Sequence, residues 1–305
     1  MDISVVIVSY NTEELLKDCL NSLKTALRKV KSEVFVVDNN SQDDTVASIK
    51  KDFPWVKLSV NSQNVGFSKA NNQSLKKARG KYILVLNPDT QLMSETIGKM
   101  INFMENRQDV AVSTCRVELP NGQLDRDCRR HFPTPWRAFS HFSGLAKIFP
   151  KSKIFDQYYM GYQKDTQDHE IDSCEGAFMM VRRSAIKKVG YFDEDFFFYG
   201  EDLDWCWRFK EAGYKVMYTP SAKIIHYKGA ASGMKSSSIH LTKATRASKI
   251  RAIKESTRAM ELFYRKHYAN IYPFFITWSA ILAIKILAFF RLIRVKIQSL
   301  GLNPN

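Results

Sequence analysis

Closely spaced cysteines are missing from this chain. Its five cysteines, Cys19, Cys115, Cys128, Cys174 and Cys206, are odd in number, and no two have metal-ligand spacing. That excludes a disulfide framework and a zinc module, and leaves reduced, structural thiols. A glycine-rich phosphate loop is missing as well. The first strand turns through "SYNTEE", which argues against a nicotinamide-dinucleotide dehydrogenase. With 13 Gly and 9 Pro in 305 residues, nothing reads as disordered or fibrous. No repeat or low-complexity tract is visible. The start, "MDISVVIVSYN", lacks the basic end and small-residue cleavage site of a secretory signal. A cytosolic, folded N-terminus is therefore expected.

Acid is scarce at the other end. From Ile239 onward there are 12 Lys or Arg against 2 Glu, which carries much of the formal net charge of +15. Such a tail suits either nucleic acid or anionic lipid. Its neighbour decides. The apolar run Phe274–Ile293 is twenty residues, about 30 Å as a helix, the thickness of a hydrocarbon core. Anionic membrane lipid is the expected partner, and nucleic acid is not. Lys285 interrupts the run, and Thr277, Ser279, Lys285 and Arg291 do not share one helical face. Spanning and in-plane insertion both stay open.

What is present in the first half is alternation. "ISVVIVS", "EVFVVDNNS", "VKLSVN", "KYILVLNPD" and "DVAVSTC" read as strands, the first buried on both faces. Between them lie helical patterns. Asn11 or Thr12 is placed to cap the first helix, and Gly80 to close the one that starts near Gly66. The pattern predicts an α/β fold with a mostly parallel, Rossmann-like sheet flanked by helices. Ligands of such sheets sit at the carboxyl ends of strands. Those ends carry Ser9-Tyr10-Asn11, Asp38-Asn39, Asn61 and Asn87-Pro88-Asp89. Four polar ends at one edge predict a nucleotide-sized pocket. Asp89 is either a turn residue or a working group. Read together with Asp38, it holds a divalent metal on phosphates while Asp38 bonds a base or ribose.

The second half predicts a turn at Pro120-Asn121-Gly122, an aromatic, irregular stretch over 132–171, and then a dense pattern. In "FDEDFFFYGEDLDWCWR" an aromatic wall, Phe196 to Tyr199, leads into Glu201, Asp202 and Asp204 at a helix start. Apolar surroundings raise a carboxylate's pKa, which suits a general base. His226 ends the strand "AKIIH" and is a candidate metal ligand.

Six stretches, "VVIVSYN", "VVDNNSQDDT", "NVGFSKANN", "LVLNPDT", "EGAFMMVRRSAIKKVGYFDEDFFFYGEDLDWCWRFKEAG" and "HYKGAAS", occur in order across Val5 to Ser232. Together they resemble glycosyltransferase family 2, the inverting enzymes of GT-A fold. The Asn-Pro-Asp and Glu-Asp-x-Asp variant is similar to rhamnosyltransferases of bacterial polysaccharide assembly. The resemblance implies that Ser9, Tyr10, Asn11, Asp38, Asn39, Gly66, Lys69, Asn71, Asn87 and Asp89 form the nucleotide-sugar site. It makes Asp89 and His226 ligands of Mg²⁺ or Mn²⁺, and Asp202 of the Glu201-Asp202 pair the catalytic base. Asn87 stands where the family's metal motif has a second Asp. The implied donor is a dTDP- or UDP-linked sugar, and the implied acceptor is a lipid-linked saccharide at the cytoplasmic face of the membrane. The expected division is a transferase domain over 1–235, with a nucleotide-sugar half (1–115) and an acceptor half (116–235). A membrane-associating helical extension follows over 236–305. A transferase of another sugar, or a non-catalytic membrane-bound interaction protein of the same fold, is the alternative.

Overall fold

The structure, a computed structural model, describes residues 1–228 and 246–298. The end of the "HYKGAAS" stretch and positions 239–245 of the basic tail lie outside the described residues. At the centre is strand β1 (Ile3–Ser9), buried at all seven positions as its unbroken apolar run predicts. β2 (Ser32–Asp38) and β4 (Tyr82–Leu86) flank it in parallel, and β3 (Lys57–Val60) adds the edge beyond β2. β8 (Phe178–Arg182) runs antiparallel to β4 and carries the sheet on to β6 (Val110–Glu118), β9 (Lys215–His226) and β5 (Thr90–Leu92). β7 (His169–Ile171) also pairs with β9. The sheet is thus wholly parallel in the β3-β2-β1-β4 half and mixed beyond it.

The two halves of the chain interleave. β5 belongs to the first half and β6 crosses the boundary between the two, yet both pair with β9 of the second. The two strand-like runs "KVMYTP" and "AKIIH" form the single strand β9. Its register slips between the partners Cys115 and Arg116, opposite Thr219 and Lys223. Pro220 lies in that slip, where a residue without an N–H cannot continue the ladder.

Helices α1 (Glu13–Ala26), α2 (Thr45–Asp52), α3 (Phe67–Leu75), α4 (Thr96–Glu105), α7 (Arg183–Val189) and α8 (Glu201–Glu211) accompany the sheet. In α1, Leu16, Cys19, Leu20 and Leu23 are buried on one stripe. Fully burying each large aliphatic side chain stabilises by about 1.5–3 kcal/mol. One boundary differs from expectation. α3 ends at Leu75, and Gly80 is no cap. A Cβ on Gly80 would lie 2.4 Å from the Ser4 nitrogen, so this glycine allows two backbones to touch.

The stretch 132–171 holds α5 (Pro135–Phe142) and α6 (Leu145–Ile148). Thr134 caps α5 through its side chain, with Pro135 in the first turn. α9 (Arg246–Phe263) runs into a π-turn at Tyr264–Tyr268, and α10 (Phe274–Gln298) folds back along α9.

Candidate active site

A cavity of about 690 Å³ opens at the carboxyl ends of β1, β2 and β4. Tyr10, Asn39, Asn87 and Asp89 of the polar strand ends line it, together with Gly66 and His226. Gly66 has φ of +87° and lies so close to Phe197 that a Cβ would sit 2.6 Å from its carbonyl oxygen. Phe67 N–H donates to that same carbonyl at 2.7 Å, which locks the loop before α3 onto the aromatic wall. Asn39 spends its amide on the walls, donating to Asn64 and accepting from Asn61 and Val65 N–H.

Other expected residues stand behind the surface. Ser9 bonds the Thr12 hydroxyl at 2.8 Å. Asn11, at φ +54°, accepts from Gln42 N–H and donates its own N–H to Ser41. Asn71 donates back to the Phe67 carbonyl, one helical turn earlier. Lys69 is exposed on the outer side of α3. Ser9, Asn11, Lys69 and Asn71 therefore do not line the cavity, because turn geometry and helical periodicity aim them elsewhere. Asp38 is fully buried. One oxygen accepts from Ser41 N–H at 3.0 Å, and the other has no hydrogen-bond partner. A buried carboxylate oxygen left open at a strand end is suited to a ligand hydroxyl or N–H.

The floor is a chain of charges. Thr90 pairs with His226 across β5 and β9, which brings Asp89 beside the imidazole. His226 Nε2 lies 3.3 Å from Asp89, and Nδ1 lies 3.2 Å from Asp125 and 3.6 Å from Glu175. Lys228 pairs with Asp125, Asp127 and, at 3.5 Å, Glu175. Burial alone would discharge His226, but the Asp89 charge and the bonds to Asp125, Asp89 and Glu175 hold it well above its ordinary pKa. Burial likewise opposes the Asp125 charge, yet His226 and Lys228 depress its pKa. Glu175 is pushed up by burial.

This donor set fits a divalent cation. Ligand atoms of Asp125, Glu175 and His226 lie within 4.8 Å of one another, and carboxylate oxygens with one imidazole suit Mn²⁺ or Mg²⁺. Those two carboxylates lie on the Nδ1 side of the ring and Asp89 lies on the Nε2 side, so His226 has acidic oxygens at both nitrogens; a cation on Asp89 and Nε2 would leave Asp125 as the outer-shell partner that orients the ring.

The acids of α8 divide sharply. Burial and the neighbouring Asp202 push Glu201 up to about 8, and one of its oxygens has no hydrogen-bond partner. Asp202 accepts from Arg130 at 2.6 Å and from Leu203 N–H at 2.7 Å. Arg130 also approaches Asp127 at 4.0 Å, so Asp202 is connected through it to the floor. Asp204 is fully buried between Arg208 (2.8 Å), His267 (2.8 Å) and Lys266 (2.7 Å). It ties α8 to the π-turn after α9. The pKa-raising effect expected of the aromatic wall thus falls on Glu201. Phe197, Phe198 and Tyr199 line the cavity, and Tyr199 has φ of +72°, a strained conformation for a bulky side chain.

Sequence reasoning misses Asp125, Asp127, Arg130, Glu175, Lys228 and Arg251. Glu175 and Lys228 lie inside the quoted "EGAF" and "HYKG" stretches, which was a usable signal. Asp125, Asp127 and Arg130 reach the site only through the turn after β6 and a 3₁₀ turn at Arg126–Cys128. Arg251 of α9 lines the cavity with its guanidinium 4.8 Å from the Phe197 ring centroid.

A nine-stranded mixed sheet with such a pocket at its parallel strand ends defines an open α/β fold with its ligand site where such sheets carry one. The chain belongs to glycosyl transferase family 2, whose sequence model matches residues 4–190. It is a glycosyltransferase, and it is similar to family members named for rhamnose transfer. One is the N-acetylglucosaminyl-diphospho-decaprenol L-rhamnosyltransferase of Mycobacterium tuberculosis, 27% identical over 75% of this chain and 77% of that protein. Another is rhamnosyltransferase WbbL of Escherichia coli, 27% identical over 73% of this chain and 82% of its own. Among solved structures, a mannosyltransferase from Pyrobaculum calidifontis aligns with a TM-score of 0.56 at 15% identity, over 99% of this chain and 76% of its own. S. aureus TarS aligns at 0.55 and 17% identity, over 93% of this chain. This chain spans 43% of the TarS chain. These likenesses confirm the GT-A fold.

Proposed function

We propose that the enzyme transfers a sugar, rhamnose first among candidates, from a dTDP- or UDP-linked donor to a hydroxyl of a lipid-linked saccharide. The setting is bacterial cell-surface polysaccharide synthesis at the cytoplasmic face of the membrane. The observation that carries this reading is the Asp89–His226 pair on the floor of a nucleotide-sized cavity. The named relatives support the sugar and the lipid-linked acceptor.

In this reading Asp38 takes a base or ribose hydroxyl with its open oxygen, and Tyr10, Asn39 and Gly66 shape the nucleoside end. Asp89 and His226 hold Mn²⁺ or Mg²⁺, oriented by Asp125. When bound, such an ion neutralises charge on the departing diphosphate, worth several kcal/mol. Asp202 takes the proton of the acceptor hydroxyl, and Arg130 aims its carboxylate. One base without a covalent nucleophile gives a single displacement with inversion. The residues divide as a nucleotide-sugar half over 1–115 and an acceptor half over 116–235, followed by the extension over 236–305. α10 is the membrane-associating element, with Phe274–Ile297 long and apolar enough to cross a bilayer and mostly exposed.

A panel of nucleotide sugars, read by donor cleavage and by transfer, tests the proposal. Asp202→Asn keeps the shape and removes the proton acceptor. Transfer is expected to fall by roughly 10²–10⁴-fold with donor binding within a few-fold. Full activity in that variant overturns the base assignment. Absence of cleavage with every donor favours the non-catalytic alternative.

A further inference from the structure

Two exposed apolar surfaces meet on this molecule, and only one belongs to α10. Along α10, Phe275, Trp278, Leu282, Ile286, Phe289 and Ile293 recur at spacings of three and four and are exposed. Three of the four polar positions are explained by packing, and Ser279, exposed on the outer face, donates to the Phe275 carbonyl at 2.7 Å. Thr277 is buried, Lys285 pairs with Glu261 of α9 at 3.4 Å, and Arg291 stacks 5.7 Å from the Phe142 ring centroid. The helix therefore has a protein face and an apolar outer face.

The second surface is the α5–α6 segment. Trp136, Phe139, Phe142, Ile148, Phe149 and Ile154 are all exposed, Phe139 at 58% and Ile148 at 67%. Six large apolar side chains exposed within nineteen residues exceed what scattered surface hydrophobics account for. α5 packs against α10, and the Arg291–Phe142 contact makes the two surfaces continuous.

Charge identifies the occupant. From Cys128 to Phe155 every charged residue is basic, including Arg137, Lys147, Lys151 and Lys153. From Phe274 to Gln298 the charged residues are Lys285, Arg291, Arg294 and Lys296. An apolar surface whose own two segments carry only cations, Lys285 alone being paired with an acid of α9, matches an anionic bilayer. The groove between α9 and α10 is lined by Asp195, Lys254, Arg258, Glu261 and Arg265. A spanning α10 that kept this packing would carry those charges into hydrocarbon.

We propose that α5–α6 and α10 form one in-plane surface that inserts into the headgroup region of an anionic leaflet, with residues 136–154 as a second insertion element. This rests on the membrane reading above.

The test is flotation of the full chain with phosphatidylglycerol vesicles, alongside phosphatidylcholine controls. Phe139→Ser/Ile148→Ser is expected to bind phosphatidylglycerol roughly tenfold more weakly, with melting and donor cleavage unchanged. Brominated lipids are expected to quench wild-type fluorescence more than that of Trp136→Phe, a readout that does not depend on how the double variant folds. Wild-type binding with an unaffected double variant and no Trp136 quenching overturns this inference alone. A double variant that turns a dimer into a monomer while vesicle binding stays the same overturns it in favour of a second copy. Wild type that binds no vesicle overturns the membrane reading itself.

Discussion

Two buried acidic clusters lie on either side of α8, and they are built differently. At Asp204 one carboxylate faces Arg208, Lys266 and His267, and the cations are in excess. At the cavity floor Asp89, Asp125, Asp127 and Glu175 face Lys228 and His226, with Arg130 shared with Asp202. Hydrogen bonds and charge bring Asp204 down to about 2 despite its burial, while burial raises Glu175. The Asp204 carboxylate is matched by cations on every side, whereas the cavity floor gathers four carboxylates around two cations.

The largest expected difference is in activity. Asp89→Ala or His226→Ala is expected to reduce transfer by at least about 10³-fold. Chelation is expected to stop wild-type transfer, with Mn²⁺ restoring it at least as well as Mg²⁺, since imidazole suits Mn²⁺ better. Chelator-resistant activity, together with an active Asp89→Ala, would return Asp89 to the role of a turn residue.

Next in size is stability at the clamp. Asp204→Ala leaves Arg208, Lys266 and His267 without their shared carboxylate. Breaking a buried ion pair in this way costs about 3–5 kcal/mol. Denaturant melts should show that loss, and a melt unchanged by the substitution would mean the clamp contributes nothing.

The smallest effects are in pH dependence, and two acids of α8, Asp204 and Glu201, bracket neutrality. Asp204 has a depressed pKa, so its stabilisation is present above the unfolded value near 4 and is lost as pH falls through about 2. Glu201 has a raised pKa. The folded state keeps a proton that the unfolded state has lost, so stability falls from the unfolded value upward and levels off above about 8. Glu201→Gln is expected to remove that decline between pH 5 and 8 in thermal melts. A wild-type and a variant profile that run parallel through this window would contradict the burial argument.

Much of this was legible in the sequence, for physical reasons that differ by residue. β1 declared itself because a strand buried on both faces must be continuously apolar. Asp89 and His226 were legible separately, since each ends a strand or follows one. Their meeting was not, because it depends on the antiparallel pairing of β5 with β9, which local pattern does not specify. Gly80 misled because a glycine after a helix reads as a cap, while its actual neighbour, Ser4, is distant in the chain. Ser9 and Asn11 were placed at the right edge but are consumed by the turn they create. Asp204 looked equivalent to Asp202 in the motif. Two positions along a helix turn it about half a circle away, toward α9 rather than Arg130.

The antiparallel packing of α10 on α9 fixes a height. Glu261 meets Lys285 near one end of the pair, and the groove joining Ile253 and Thr257 to Ala288 and Leu292 marks the other. The first turns of α9 are also the cavity wall that carries Arg251. With α10 lying in the leaflet, α9 rides one helix layer above it, about 8–10 Å between axes. The donor cavity then opens at roughly the level of the headgroups. A lipid-linked acceptor of the kind proposed above would meet the donor without its anchor leaving the bilayer, and the transferase would work as a plane that glides over its substrate.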